Sequence, residues 1–233
     1  TFADFFNNEK NLTLLSSEKC TYVYKASLNG SNFYLKRILP EHSKKVVRSI
    51  LKGKGFWNPV ERELKNTIHL QENNFDVMKI AAWGIKKAMG FPTASFIISE
   101  EVQGEEFMDL YDRSGSKVRC LLYREYGKLM ASAHNKHIDT TIRPQDIYCK
   151  LSKDSKSINL TLIDREEGST KELIYNQQKV LRVLSVILYK FIKKNERLCI
   201  SSKDIISFIE AYLKNSNIIK DTKKDFYRLL EGE

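Results

Sequence analysis

The 233-residue sequence predicts an α+β protein: a bilobal chain with an antiparallel-sheet N-lobe holding one long helix, and a mainly helical C-lobe. Three observations carry this prediction. Two β-rich runs flank an Asn29-Gly30 pair, a capped helical pattern opens at Asn58-Pro59, and from Lys117 onward the apolar residues change from strand to helix periodicity.

The hairpin comes first. Residues 21–28 and 31–38 are rich in Tyr, Val, Phe and Ile, and both Asn29 and Gly30 tolerate the positive φ that a two-residue turn demands. Asn58 then suits an N-cap and Pro59 a first helical turn. Val60, Leu64, Ile68 and Gln71 recur every three or four residues after them, and the helix should end near Asn73-Asn74. Strands are expected over 78–83, ending at Gly84, and over 94–99, preceded by Gly90 and Pro92. The stretch from Glu100 to Gly104 connects the lobes, so the expected division is 1–101 and 102–233.

Beyond Lys117, the residues Val118, Leu121, Leu122, Leu129, Met130 and Ala133 make an amphipathic helix of about 20 residues. A short strand follows over 158–163. Two more helices are expected, over 178–193, apolar on nearly all sides and therefore buried, and over 202–214, with Ser202 as N-cap. No internal repeat is present.

Composition narrows the class. Gly (10) and Pro (4) are scarce, which argues against a disordered or linker-dominated chain. The longest apolar run, Val183 to Ile192, is broken by Lys190 and falls short of the ~18 residues a membrane-spanning helix needs. Cys20, Cys120, Cys149 and Cys199 lie far apart with no CxxC pair, which points to a reducing cytosol and away from a zinc site. The opening residues do not read as a secretory signal. A formal charge of +10 favours polyanionic partners without choosing among them. Aromatic residues are not interleaved with basic ones as a stacking groove requires, so nucleic acid is not expected. His42, His69, His134 and His137 lack metal-ligand spacing, and Trp57 and Trp83 read as packing residues.

Four pieces carry chemistry. Lys36 lies on the second strand of the hairpin, where it either faces solvent or aims at a ligand. Glu63 lies on the following helix, and a helix carboxylate paired with a strand lysine points that lysine at nucleotide phosphates. Glu61 competes for the pairing, but it is about 200° away around the helix, so only one of the two can face the lysine. Ser95 to Gly104 is an apolar strand running into a polar stretch, either a plain strand-to-loop transition or the form of a hinge whose backbone near Glu100 and Val102 would read an adenine edge. Asp164 ends the apolar run Leu160 to Ile163, well placed either to hold a magnesium ion over phosphates or to cap a turn.

In this order, over roughly residues 20 to 170, these pieces resemble the protein-kinase-like fold, and in particular the lipopolysaccharide core heptose/Kdo kinase family. Arg62 to Leu70 with Ala82-Trp83-Gly84 looks like that family's pattern after the helix glutamate. Ser95 to Glu101 looks like its hinge strand. Ala133-His134, Ile138 to Cys149 and Leu162-Ile163-Asp164 look like its catalytic region. The resemblance implies an ATP-dependent phosphotransferase, with Mg2+, acting on a heptose or Kdo hydroxyl of the inner core. Lys36, Glu63, Glu100 and Val102 would bind the nucleotide, and Asp164 with Asp146 the metal. The implied location is cytoplasmic and peripheral at the inner membrane, where Lys44, Lys45, Arg48, Lys52 and Lys54 would meet anionic lipid unless they form a solvated face.

The catalytic loop departs from the pattern. Aligning Arg143-Pro144-Gln145 and Ile147-Tyr148-Cys149 puts Thr141 where the base aspartate belongs and Asp146 at the following Asn or His position. A threonine hydroxyl orients but does not accept a proton near neutral pH. Reading His137-Ile138-Asp139 as His-x-Asp makes Asp139 the base, with the proline match slipped by two residues. The phosphate-covering turn, Ser16 to Cys20, has no glycine. The alternative is therefore a pseudokinase, a nucleotide-binding or regulatory module on a kinase fold.

Overall fold

The computed structural model describes residues 12–18, 20–39, 58–88, 91–139, 142–164, 169–172, 178–180, 182–186 and 200–218. By contacts the chain divides into two units, Thr1–Val102 with Ile163–Glu167, and Gln103–Leu162 with Gly168–Glu233. Thr141, Trp57, Cys199 and the basic run from Lys44 to Lys54 lie outside the described residues.

The first unit grows from the hairpin. Strands β2 (Thr21–Leu28) and β3 (Ser31–Ile38) pair antiparallel, with Thr21 opposite Ile38 and Leu28 opposite Ser31. Asn29 (φ 50°) and Gly30 (φ 77°) both take the left-handed backbone that this turn requires. Strand β1 (Leu12–Glu18) adds outside β2, while β5 (Phe91–Glu100) lies against β3 with β4 (Ile80–Ala88) beyond it, giving the order β1-β2-β3-β5-β4. Strand alternation then sorts the side chains. Tyr24, Leu35 and Phe96 cluster on one face, and Ile38 and Ile97 on the other, where Val60 from helix α1 (Pro59–Glu72) covers them. Lys36 sits opposite Ile97 and two residues from Ile38, so it shares the face under α1.

Several local readings change. Ser16 to Glu18 belong to β1, paired with Val23, Tyr22 and Thr21, so the supposed covering turn is mostly strand. Strand β4 starts at Ile80 and runs through Gly84, which pairs with Phe96 inside the sheet. Pro92 lies within β5, but beyond the Ser95–Glu100 segment that β3 pairs, where a missing N–H is tolerated. Asn58 caps α1 through its side-chain oxygen, accepting from the Val60 and Glu61 amides. The buried face of α1 is Val60, Glu63, Asn66, Thr67 and Leu70, whereas Ile68 is 43% exposed and Gln71 is exposed. An apolar-only stripe misses this face because its centre is a carboxylate. Trp83 is 50% exposed and is not a core residue.

The second unit has two small sheets and a helical core. Strands β6 (Glu105–Glu106), β8 (Ile147–Leu151) and β9 (Ile158–Leu162) form one sheet in the order β6-β8-β9. Strands β7 (Ile138–Asp139) and β10 (Ser169–Glu172) form the other. Gly104 (φ 124°) lets the chain pass so close to Cys149 that a Cβ there would strike its carbonyl. Helices α2 (Phe107–Arg113), α3 (Ser116–Asn135) and α4 (Ser202–Asn215) supply the core. The Phe107 ring meets Tyr123 and Tyr126 edge-on, each with centroids 5.6 Å away, and Tyr126 packs on Phe208 at 5.2 Å. Gly127 brings α3 against the backbone of Phe208 in α4, where any Cβ would collide.

The cap of α4 is Ser201, one residue before the serine chosen from sequence. Its hydroxyl accepts from the Asp204 amide while the Asp204 carboxylate accepts from the Ser201 amide, a reciprocal box that needs an acid three residues on. Ser202 has Ile205 at that spacing. Within 178–186 the described helical residues Val180 and Leu184 are buried, but Gln178, Arg182, Ser185 and Val186 are exposed. That segment is amphipathic rather than apolar on all sides.

His134 lies near the end of α3, fully enclosed, with Nδ1 2.7 Å from the Tyr212 hydroxyl of α4. Burial pushes its imidazolium pKa down to about 4, from 6.5 in the open chain. The folded state thus holds a neutral ring between pH 6.5 and about 4, while the unfolded state binds a proton. Stability from this group is complete above pH 6.5 and declines as pH falls toward 4. Thermal melts across that window should flatten in His134→Gln relative to the parent; parallel profiles would count against this assignment.

Candidate active site

Three charged side chains of the first unit meet at one point. The Lys36 amine, carried by β3 on the face under α1, lies 3.1 Å from Glu63 Oε2 and 2.7 Å from Asp164 Oδ1. Helix α1 delivers Glu63 because Val60, Glu63, Thr67 and Leu70 fall on one side of it. Glu63 is only 2% exposed and turns inward, while Glu61 bonds Lys65 one turn on at the surface. This resolves the choice between the two glutamates geometrically. Asp164 follows directly on Ile163, where the chain leaves β9 and re-enters the first unit. Its backbone takes φ 50°, sparsely populated for a residue with a Cβ though more open to Asp than to most.

The two carboxylates differ in kind. The Glu63 side chain is buried and its lysine is mostly buried too, so this pair is held in place by its surroundings. The Asp164 side chain is 48% exposed, and its bond to Lys36 is open to exchange with solvent or ligand. Lys36 is thus paired on one side with a buried carboxylate and on the other with a half-exposed one.

A family comparison covers the stretch that holds these residues. The lipopolysaccharide kinase (Kdo/WaaP) family model matches residues 8–212 of the chain. The chain belongs to that family. Among solved structures, this Kdo/WaaP-family chain is similar in fold to "WaaP in complex with acyl carrier protein", with a TM-score of 0.64 and 12% identity, over 97% of this chain and 89% of that one. No curated protein matches it. The mixed helical and antiparallel architecture, with its five-stranded N-terminal sheet, is thus a kinase-like fold.

The other residues singled out from the kinase pattern sit as follows. The Glu100 amide donates to the Lys79 carbonyl at 2.9 Å, and the Glu101 amide to Asn32 at 3.0 Å, so backbone bonds pin both ends of the Glu100–Glu101 step. Val102 closes the first unit. Asp139 and Asp146 both belong to the second unit. Asp139 lies in β7 with its backbone opposite Ser169. Asp146 ends a short 3-10 turn, Pro144–Asp146, and is 3% exposed. Both of its carboxylate oxygens accept from Arg143, at 2.7 Å and 3.0 Å, a bidentate clasp across the turn. Tyr126 steadies the same segment, its hydroxyl donating to the Ile142 carbonyl at 2.8 Å.

Sequence reasoning passed over the Arg143 clasp, although an Arg and an Asp three apart around a proline are a visible signal. It also passed over Glu101, which accepts from Lys25 Nζ at 2.8 Å, Asn32 Nδ2 at 2.9 Å and the Tyr34 hydroxyl at 3.3 Å. No local signal marks that cluster, since Glu101 lies 67 to 76 residues from its three donors in the chain.

Proposed function

We propose that the chain is an ATP-dependent sugar kinase that transfers the γ-phosphoryl group to a heptose or Kdo hydroxyl of a lipopolysaccharide core. The observation that carries this reading is the buried Glu63 carboxylate holding the Lys36 amine beside the exchangeable Asp164. Lys36 orients the nucleotide phosphates, Glu63 keeps Lys36 extended, and the backbone of Glu100 and Val102 meets the adenine edge. Because the Glu100 amide is already bonded to Lys79, the base contact falls to the Glu100 carbonyl and to Val102.

Mg2+ fits the donors present. Among the described residues no cluster of three or more His, Cys, Asp or Glu could cage a metal. Mg2+ characteristically takes one or two carboxylates and completes its shell with phosphates and water. Asp164 would hold it, with Asp146 as the second proposed ligand, whose carboxylate oxygens each accept from Arg143 and each keep a further lone pair. Bound there, the ion supplies charge neutralisation of the phosphates.

In the transfer, the sugar hydroxyl oxygen forms a bond to the γ-phosphorus, the bond from that phosphorus to the bridging oxygen breaks, and ADP leaves with the electron pair. The hydroxyl proton passes to a carboxylate, for which Asp139 is the proposed acceptor. The basic surplus of the chain and the absence of any helix long and apolar enough to span a membrane, among the described residues, suit an enzyme that meets an anionic lipid acceptor at a membrane surface.

The test is transfer of radiolabel from γ-labelled ATP to a lipopolysaccharide core acceptor, with Asp164→Asn as control. Label in the acceptor with the parent chain and none with the variant is the expected outcome. ATP binding with no transfer to any heptose- or Kdo-bearing acceptor would instead favour the pseudokinase, with Thr141 as the lesion.

A further inference from the structure

We infer that Glu101 is a positioning residue for the purine-reading backbone, acting through a tether to the hairpin and making no contact with the phosphates. This rests on the reading of the site as a nucleotide kinase. Glu101 lies between the two residues proposed to meet the adenine edge, and its carboxylate gathers three donors from β2 and β3. Lys25 Nζ and the Tyr34 hydroxyl both reach Oε1, and Asn32 Nδ2 reaches Oε2. The Glu101 amide donates to the Asn32 carbonyl, and Asn32 Oδ1 in turn accepts from the Ser27 hydroxyl at 2.6 Å. Main chain and side chain of Glu101 thus grip the same asparagine.

The effect on the backbone follows from where these bonds fall. A segment leaving a strand end would otherwise be free to rotate about Glu100 and Val102. Here the peptide between them is fixed by one main-chain bond and one charge-assisted cluster, both anchored in a paired hairpin. Donation from Lys25, and next from Asn32, holds the Glu101 carboxyl below the ordinary range, so the tether is charged throughout the neutral range. Lys36 and Asp164 take no part in it. Loss of the tether should therefore weaken recognition of the base while leaving recognition of the phosphates alone.

Calorimetric titration of the whole chain with three probes separates these parts: MgATP, MgGTP and inorganic tripolyphosphate with Mg2+. For Glu101→Ala, which removes all three side-chain bonds of the tether, the Kd for MgATP is expected to rise by about tenfold, with tripolyphosphate affinity unchanged and the preference for ATP over GTP reduced. Lys25→Met attacks the tether from its other end and should give the same signature, and Glu101→Gln, which keeps the side chain's shape and some of its hydrogen bonds, should fall between. Amide exchange at Glu101 should quicken in step. Equal weakening of ATP and tripolyphosphate, or faster exchange with unaltered ATP affinity, would overturn the inference. Failure of the parent chain to bind any of the three would instead overturn the kinase reading on which it rests.

Discussion

Asp164→Asn is expected to lower phosphoryl transfer by about 10²–10³-fold or more while leaving the protein folded. The side chain is half exposed and its one described hydrogen-bonding partner is Lys36, so removing its charge should change stability by less than about 1 kcal/mol. Asparagine also accepts the left-handed backbone found at this position, which keeps the loop geometry comparable. What disappears is the negative charge that would hold a cation against the phosphates. Steady-state kinetics paired with a thermal melt checks both halves. Parent-level turnover in the variant would remove Asp164 from the mechanism, and a collapse of the melt would show that its role is structural.

Lys36→Met should act on fold and function together. Glu63 is buried, and deleting Lys36 takes a counter-charge away from a carboxylate inside the sheet–helix packing. Breaking a buried pair from one side typically costs about 3–5 kcal/mol. For a chain of this size that corresponds to a melting temperature lower by about 6–20 °C. Adding Glu63→Gln should recover much of the loss, because the second change removes the stranded charge. Nucleotide binding should stay absent in both, since neither restores an amine to the phosphates. Glu61→Gln serves as the control: its pairing with Lys65 is a surface helical contact worth a few tenths of a kcal/mol, about the limit of measurement. If the double variant is no more stable than Lys36→Met alone, the Lys36–Glu63 pair is not a coupled unit.

The parts of this architecture readable from sequence are those governed by local chemistry. Asn29-Gly30 announces its hairpin because both residues adopt positive φ, and Asn58-Pro59 announces α1 because a cap and a first-turn proline act within a few residues. The buried face of α1 was not readable in the same way. Its apolar letters suggested Val60, Leu64, Ile68 and Gln71, whereas the fold buries Glu63, a carboxylate that pairs with a lysine brought in from strand β3. Trp83 went astray for the converse reason, since an aromatic on a strand says nothing about whether a second layer covers it. The choice of Ser202 over Ser201 turned on ignoring the acid at Asp204.

The site divides along the same line. Lys36, Glu63 and Asp164 were legible as an ordered set because each residue type suits phosphate chemistry, even though 128 residues separate the first from the last. The Glu101 tether was not legible, since it forms only when the end of β5 is brought beside the hairpin, far away in the chain. Asp146 was legible as a carboxylate in the loop, but its pairing with Arg143 on both oxygens was not.

Titrating the parent chain with ATP in the presence and absence of Mg2+, alongside Lys36→Met, tests the central claim most directly. The expected result is one saturable site for ATP that strengthens with Mg2+ in the parent and vanishes in the lysine variant. Binding of equal strength in both proteins, or none in the parent at millimolar ATP, would contradict the account.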